Sequence, residues 1–367
     1  MAKPSAINYD YFRLYEEIPL LFRASFARNR GIEKTSGKTL IVAASTIGDF
    51  IVTIPAIRTF LADNKITADI IVSPLVRPLA ERIRGIDRVF VARSSSRRDI
   101  EKAEEKINEF DHYESIIILK ISSDAYRLLK KIKSKKVKSH FPTYARYVLH
   151  LAKSSLLGKR PKQWRDIVFD MIDKKPRHMR FEDMFTFDNR DYERVRKLNE
   201  MKTSEKIILI HTGSNWPMLR WENAKWADLL NRINALGKFR IVFVGAEIES
   251  DDLREIVPLL NFKPHSLISK VDLRELLIAM RMSDYFIGVD SGPRNMANFA
   301  DLRSIGLFGP GPHMFMPSDS RDVIIDKSKN RGVYERFFYK KNSLMNKITV
   351  DEVYDKFLVL TGLNRNK

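Results

Sequence analysis

Four short segments of this sequence place glycine, hydroxyl or acidic residues directly after a run of apolar residues. They are STIGD (45–49), HTGS (211–214), VGAE (244–247) and VDSGP (289–293). In open parallel sheets, ligands bind in the crevice beyond the carboxyl ends of the strands, where such segments lie. A carboxylate there can act as a general base, and backbone N–H groups at a helix start can bind an anion. These segments are therefore the candidates for chemistry.

The first segment holds one acid, Asp49, between a predicted strand and a predicted helix. An acid at such a turn faces the crevice and could remove a proton from a ligand. Asp is also a preferred N-cap residue, and for this position taken alone capping is the favoured interpretation.

The second segment combines a glycine with a hydroxyl and is followed by a basic residue. Gly213 would let the backbone approach a ligand, and Ser214 offers a hydroxyl and a backbone N–H to phosphate. Arg220 supplies a forked donor suited to phosphate. Taken alone this segment is a weak indication, because loops of Gly and Ser are common.

The third and fourth segments add acids and a second anion-binding loop. Glu247 could bind a pair of ribose hydroxyls, although it could equally be an acid that favours a helix start. The fourth segment is the most specific, because its proline fits a first helical turn and its free N–H groups would point at an anion. Its candidate residues are Asp290, Ser291, Gly292 and Pro293.

Short apolar runs alternate with helical patterns over most of the chain, which predicts parallel sheets covered on both faces. The predicted strands are 39–45, 68–73, 88–92 and 114–120 in the first half, and 206–213, 239–246, 265–269, 285–292 and a last strand, 303–310, in the second. This alternation of strands and helices predicts two Rossmann-like halves.

The alternation of strands and helices also predicts the domain boundaries. An amphipathic extension (1–37) precedes a first Rossmann-like domain (38–195) that carries a basic insertion (121–180). A second Rossmann-like domain (196–345) follows, and the last segment (346–367) forms a helix that we expect to pack back towards the N-terminal domain. The extension could lie in a membrane interface, or it could pack on its own domain or on a second subunit.

Composition excludes several classes of protein. The 367 residues include no Cys, which excludes disulfide scaffolds, thiol nucleophiles and Cys-ligated metal sites. No histidine shows metal-ligand spacing and no D-x-D motif occurs, so no metal site is expected. The sequence shows no signal peptide and no apolar run of about 18 residues, which leads us to expect a cytoplasmic protein.

The net charge of +19 is concentrated in one stretch. Residues 121–180 hold 17 basic and 4 acidic residues. Such a patch attracts nucleic acid, an anionic membrane or a phosphorylated ligand, or it is simply a solvated face. Nucleic acid is disfavoured, because no zinc-finger, RNP-type or KH-type signature accompanies the charge. The densest part contains Lys130, Lys131, Lys133, Lys135, Lys136 and Lys138.

Taken together and in order, these motifs resemble glycosyltransferase family 9, the heptosyltransferase family of bacterial lipopolysaccharide assembly. The resemblance spans roughly residues 38–315. The motifs behind it are GDFIVTIPAIR, ADIIVSP with GIDRVF, HTGSNW with a later RW, GAE, and DSGP with a later LFGP.

The resemblance implies an α/β protein of the GT-B fold, with two Rossmann-like, doubly wound parallel-sheet domains facing a cleft. It implies an inverting transferase that uses neither metal nor cofactor, with an acceptor on the first domain and a nucleotide-sugar, ADP-heptose first among candidates, on the second. The acceptor would be lipopolysaccharide core or a related anionic glycan or glycolipid. Such a protein would work at the inner face of the bacterial inner membrane, with peripheral contact to anionic lipid and no nucleic-acid partner.

Residue by residue, the resemblance makes Asp49 the general base, Ser214 a hydroxyl for the donor phosphate and Glu247 the ribose acid. It assigns the loop that holds the donor's sugar and diphosphate to Asp290, Ser291 and Gly292. The family commonly has Lys where this chain has Leu219, and His where it has Asn295. Both positions are expected near the donor, and Arg220 or Arg294 could replace a lost charge.

Three other functions compete with this one. The two departures also fit a catalytically degenerate member that binds a nucleotide-sugar or glycan without transfer. A nicotinamide oxidoreductase is disfavoured, because AASTIGD stands where its G-x-G-x-x-G would follow the first strand. A nucleic-acid-binding protein rests on charge alone.

Overall fold

The computed structural model divides into two compact units, Met1–Thr186 and Phe187–Lys367. The division falls before the predicted boundary at 195/196, which would have cut a helix, Asn189–Asn199. The structure describes residues 37–92, 113–121, 123–129, 132, 134–139, 163–177, 179–199, 205–214, 217–309, 320–327 and 344–363. Nearly all of the predicted N-terminal extension lies outside these residues.

The first unit contains an all-parallel sheet with the strand order β3-β2-β1-β4-β5. Its strands are β1 (Thr39–Ala43), β2 (Ala68–Val72), β3 (Ile86–Val91), β4 (Tyr113–Lys120) and β5 (Ser134–Ser139). Its helices are α1 (Ile47–Asn64), α2 (Arg77–Ala80), α3 (Ser123–Leu129), α4 (Trp164–Met171) and α5 (Phe181–Met184), with a 3₁₀ helix at Pro74–Val76. The strand order reverses between β1 and β4, which defines the crevice of this sheet.

The second unit contains an all-parallel sheet with the order β11-β10-β9-β6-β7-β8. Its strands are β6 (Lys206–His211), β7 (Phe239–Phe243), β8 (His265–Ser266), β9 (Tyr285–Val289), β10 (Arg303–Phe308) and β11 (Asp322–Asp326). Its helices are α6 (Asn189–Asn199), α7 (Asn223–Asn234), α8 (Ser250–Ile256), α9 (Leu273–Arg281), α10 (Gly292–Phe299) and α11 (Val350–Thr361). Short 3₁₀ helices lie at Pro217–Leu219, Glu247–Glu249, Val257–Leu259 and Met345–Lys347.

Two strands were not predicted from the sequence. β5 reads SKKVKS and lies at the edge of the first sheet, where lysines are typical because they discourage pairing with other chains. β11 reads DVIID and extends the second sheet beyond the strand that we expected to be the last.

The C-terminal helix α11 belongs to the core of the second unit. Thr349 caps its start, and Gly362 ends it in the left-handed conformation. Its inner face buries Val353 and Phe357, and the Phe357 ring lies 5.1 Å from that of Phe239. The buried face of α11 therefore packs on the core of the second unit, and the packing towards the N-terminal domain expected from the sequence stays a prediction.

Some of the motifs behind the family resemblance are explained by packing. Asp69 of ADIIVSP is fully buried, accepts a hydrogen bond from Tyr113 at 2.7 Å, and pairs with Arg88 of GIDRVF. Burial and the Asp69 carboxylate raise the pKa of Tyr113. Gly309 of LFGP leaves room for Met345, whose Sδ would lie only 2.7 Å from an added Cβ. These contacts hold the strands and their neighbouring elements in place.

None of the helices that the structure describes is long and apolar enough to cross a membrane.

Candidate functional site

Asp49 lies in the first turn of α1, directly after β1. The N-cap of this helix is Thr46, so the interpretation of Asp49 as the cap is wrong. Its side chain is nearly buried, with 7% of the residue exposed. Its placement at the reversal of strand order fits the predicted position in the crevice.

A buried lysine accompanies Asp49, and the sequence reasoning missed it. Lys120 is the last residue of β4, and its Nζ lies 3.7 Å from Asp49 Oδ2. The same ammonium lies 4.7 Å from the centre of the Trp164 ring. The only sequence signal was a lysine at the end of the apolar run SIIIL.

The second unit brings together the HTGS and DSGP segments, as their sequence positions suggested. The strand order reverses between β6 and β9, and the two segments follow these strands. Ser291 Oγ lies 3.2 Å from His211 Nδ1 and donates to the carbonyl of Val289 at 3.0 Å. Parallel strands end at the same edge of a sheet, so the two loops line one crevice.

Helix α10 begins where the DSGP motif predicted. Ser291 is its N-cap and accepts from the backbone N–H of Arg294, while Gly292 and Pro293 occupy the first turn. Asp290 directly precedes the cap, and its backbone N–H donates to the Leu307 carbonyl. The N-terminal N–H groups and the helix dipole make this turn suited to an anion.

The two acids of the GAEIE segment, Glu247 and Glu249, differ in burial. Glu247 is exposed, and its Oε2 accepts from Ser269 Oγ at 2.8 Å. Glu249 is 4% exposed, accepts from the Ala246 N–H at 2.6 Å, and places Oε1 3.8 Å from His211 Nε2. Burial raises the pKa of the Glu249 carboxyl. The sequence signal was the second acid of GAEIE.

His211 is held neutral in this cluster. Burial, and then the positive charge of Arg220, lower the pKa of His211 to about 4. The Glu249 carboxylate at 3.8 Å does not offset this desolvation, because its own charged form is disfavoured by burial. A neutral imidazole can accept or donate a hydrogen bond without adding charge beside a phosphate.

The packing of a buried side chain requires a glycine at position 213. A Cβ at this position would lie 2.2 Å from Glu249 Oε1 and 2.3 Å from its Cγ. The glycine therefore makes room for the Glu249 side chain, and its role in the approach of a ligand stays a prediction.

The Arg220 guanidinium donates hydrogen bonds to two groups of the protein. Its Nε donates to the Ser214 carbonyl at 2.9 Å, and its Nη1 donates to Asp252 Oδ1 at 3.0 Å. Asp252 also accepts from Thr212 Oγ1 at 3.2 Å, so it ties Arg220 to the HTGS loop. The Arg220 side chain stays 26% exposed, which leaves it at the surface of the crevice. The sequence reasoning did not single out Asp252.

The two departures from the family pattern lie on either side of this loop. Asn295 is 4% exposed, and its Oδ1 has no hydrogen-bond partner among the described residues. Arg294 is fully buried, with its Nη2 3.4 Å from Asp322 Oδ2 and its guanidinium 5.5 Å from the Phe308 ring centre. Arg294 is therefore a structural residue, and the idea that it replaces a charge near a ligand is wrong. Leu219 ends a 3₁₀ helix, Pro217–Leu219, directly before Arg220.

The predicted basic surface falls only partly within the described residues. Lys130, Lys131 and Lys133 lie outside them. Lys135, Lys136 and Lys138 lie in β5, and the side chain of Lys136 is 73% exposed, 4.0 Å from Glu114. Among the described residues, no group of three or more His, Asp or Glu side chains could hold a metal ion.

Comparison with known proteins agrees with this architecture. Residues 162–342 match the model of glycosyltransferase family 9 (heptosyltransferase). This match confirms the resemblance to glycosyltransferase family 9 that was drawn from the motifs. Asp49 lies before the matched range, so its role rests on the GDFIVTIPAIR motif and on its place in the fold.

A relative found by sequence and one found by structure also support this resemblance. A lipopolysaccharide heptosyltransferase 3 of Escherichia coli is 28% identical over 133 residues, which cover 35% of this chain and 38% of that protein. The matched part thus spans well under half of that relative. A family 9 glycosyltransferase structure from Veillonella parvula has a TM-score of 0.71 at 15% identity, covering 92% of this chain and 100% of that one.

A third relative gives the same fold. The structure of the E. coli ADP-heptose lipopolysaccharide heptosyltransferase II has a TM-score of 0.63 at 16% identity, covering 90% of this chain and 100% of that one. At these identities, the solved structures show the fold, which is GT-B.

Proposed function

We propose that this protein is an inverting, metal-independent glycosyltransferase. It moves a sugar, heptose first among candidates, from a nucleotide-sugar to a lipopolysaccharide-core or related cell-surface glycan. The observation that carries the proposal is the pair of crevices at the two points of strand-order reversal. One holds a buried carboxylate and the other a loop suited to a diphosphate.

Asp49 is the general base of the proposed reaction. It takes the proton of an acceptor hydroxyl while that oxygen bonds to the anomeric carbon of the donor sugar. The bond from that carbon to the nucleoside diphosphate breaks, so the configuration inverts in one displacement. Its burial supports this role, because a base shielded from water is not hydrated when the acceptor binds.

The second unit stabilises the departing diphosphate. The first turn of α10 offers N–H groups from Gly292 onward, and the Ser291 hydroxyl, 3.2 Å from His211 Nδ1, caps that turn. Ser214 and Arg220 stand on the adjacent loop, with Arg220 at the crevice surface. Removing one such donor typically costs about 10²-fold or more in rate.

The ribose of the donor belongs, in this proposal, with one of two acids. Glu247 is the acid that the motif pattern selects, and it is exposed on the loop after β7. Glu249 lies two residues further, buried against Gly213 and His211. We propose that Glu247 contacts the ribose and that Glu249 holds the loop, because only Glu247 has its carboxylate at the surface.

The acceptor is proposed to be anionic. The first unit carries the basic stretch 121–180, and the exposed Lys136 shows that at least part of the edge strand β5 presents charge to solvent. Each basic residue near an anionic surface contributes about 1 kcal/mol. The same surface would favour peripheral contact with an anionic membrane.

A degenerate member that binds a nucleotide-sugar without transfer is the second candidate. Leu219 and Asn295 favour it, because they stand where the family pattern has Lys and His. The buried Asp49 favours transfer, since a binding protein needs no base.

A thermal-shift panel tests the proposal. ADP, UDP, GDP and CMP, and their sugar conjugates, are each added with and without EDTA. A ligand at 100 times its Kd adds about 2.7 kcal/mol of stability. We expect the ADP series to raise the melting temperature equally with and without EDTA. No shift in any series would contradict a nucleotide-sugar site, and a shift that EDTA abolishes would contradict metal independence.

A further inference from the structure

Lys120 occupies a place that is rare for a lysine. The residue is 7% exposed, and lysines are almost never this buried unless they are paired. Its ammonium lies between two groups, 3.7 Å from the Asp49 carboxylate and 4.7 Å from the centre of the Trp164 ring. The three residues come from three different elements, β4, α1 and α4, so the arrangement is fixed by the tertiary fold.

We propose that Lys120 is a positioning residue for the transfer, which keeps Asp49 charged and correctly oriented, and that Trp164 fixes Lys120 in turn. This inference rests on the proposed function, in which Asp49 removes the acceptor proton. It adds a requirement that the motif pattern did not contain, because neither Lys120 nor Trp164 lies in any of the four segments.

The physical reason is the burial of the carboxylate. A carboxylate removed from water avoids the cost of its charge by taking up a proton, and a protonated Asp49 cannot act as a base. A cation 3.7 Å away favours the charged form. The indole face of Trp164 attracts the ammonium without competing for the carboxylate, since the ring carries no net charge.

Several other charged groups lie on the elements packed against α1. The elements packed against α1 are α4, α5 and the 3₁₀ helix Pro74–Val76, and the last has no charged residue. The charged residues of the two helices are Arg165, Asp166, Asp170, Glu182 and Asp183. Arg165 pairs with Asp166 at 3.3 Å, and Asp183 pairs with Arg180 at 2.9 Å. The adjacent strand β1 carries no charge.

The experiment compares Lys120→Met and Lys120→Gln, which remove the charge, with Lys120→Arg, which keeps it. The readout is the pH profile of kcat/KM, with ADP-heptose as the probe donor and lipopolysaccharide core as the acceptor. We expect the acidic limb to move to higher pH by about one to three units in the two neutral variants. It should stay in place in Lys120→Arg, and the KM for the donor should not change.

Lys174→Met is the matched control. It breaks an ion pair with Asp63 at 3.0 Å, at the other end of the same helix α1. The two carboxylates are separated by fourteen residues, or roughly 21 Å along the helix axis. This variant should lose stability without moving the acidic limb, which separates positioning from a general loss of structure.

A second measurement needs no substrate. The ¹³C carboxyl resonance of Asp49 is assigned by its loss in Asp49→Asn and is then compared between the variants at the pH of the assay. We expect its chemical shift in Lys120→Met and Lys120→Gln to differ from that of the wild type, because the ammonium 3.7 Å from the carboxylate is gone. An unmoved resonance in either folded variant would overturn the role of Lys120. Near-normal turnover by Asp49→Asn would instead overturn the proposed base, so the two failures are distinguishable.

Discussion

Replacing His211 by Asn should make the free energy of unfolding fall less steeply as the pH is lowered. His211 is buried at the end of β6, between Ser291 and Glu249, and burial with the charge of Arg220 lowers its pKa to about 4. In the unfolded chain the imidazole has an ordinary pKa of about 6.5. The unfolded state therefore binds this proton more readily than the folded state.

The sign and the size of the effect follow from linkage. The stability contributed by neutral His211 is fully present above pH 6.5, and it is lost as the pH falls towards the folded pKa of about 4. A difference of about 2.5 pKa units corresponds to about 3 kcal/mol in total, of which about 2 kcal/mol is lost by pH 5. Burial raises the pKa of Glu249 and of Asp252, and these carboxyls act in the opposite direction in both proteins.

The assay is urea unfolding at half-unit steps from pH 7.5 to pH 4.5. The free energy of unfolding should fall by about 2 kcal/mol more in the wild type than in His211→Asn between pH 7.5 and pH 5. Ser291→Ala is the control, because it removes the hydroxyl beside His211 and the N-cap of α10 but no titrating group. It should lower stability by about 1 kcal/mol at every pH. Parallel curves for the wild type and His211→Asn would refute a buried, neutral His211.

Four further substitutions test residues around the donor crevice. Gly213→Ala should lower the free energy of unfolding by about 1–3 kcal/mol, because the added Cβ collides with Glu249, and urea unfolding measures it. Asp322→Ala should cost about 3–5 kcal/mol, since it leaves the fully buried Arg294 without its carboxylate; a loss below 1 kcal/mol would contradict that pairing. Glu247→Gln should weaken ADP binding in calorimetry with unchanged stability, whereas a larger effect in Glu249→Gln would reverse the proposed roles of the two acids.

The strands that the sequence predicts well are those with apolar runs. TLIVA, ADIIV and YFIGV are buried on every residue, as expected for strands covered on both faces. β5 was missed because its lysines read as a charged patch, although an edge strand is where such residues are tolerated. β11 was missed because it lies far from the preceding motif and pairs along one side only, with β10.

The sequence predicted which segments form the site, but it did not predict which side chains contact each other there. The order of the strands could place HTGS and DSGP at one edge, and the structure does so through His211 and Ser291. The choice between Glu247 and Glu249 depends on which acid turns inward beneath Gly213, which a one-dimensional pattern does not contain. The Asp49–Lys120 pair joins residues 71 positions apart through the β1–β4 neighbourhood, so only the folded sheet reveals it.

Turnover of Asp49→Asn is the most direct test of the central claim. Release of ADP from ADP-heptose is measured for this variant and the wild type, with lipopolysaccharide core as the acceptor and with EDTA present. We expect the wild type to turn over and the variant to be about 10²- to 10⁴-fold slower, while ADP stabilises both proteins equally. Turnover of the variant at near the wild-type rate would contradict a transfer that depends on Asp49.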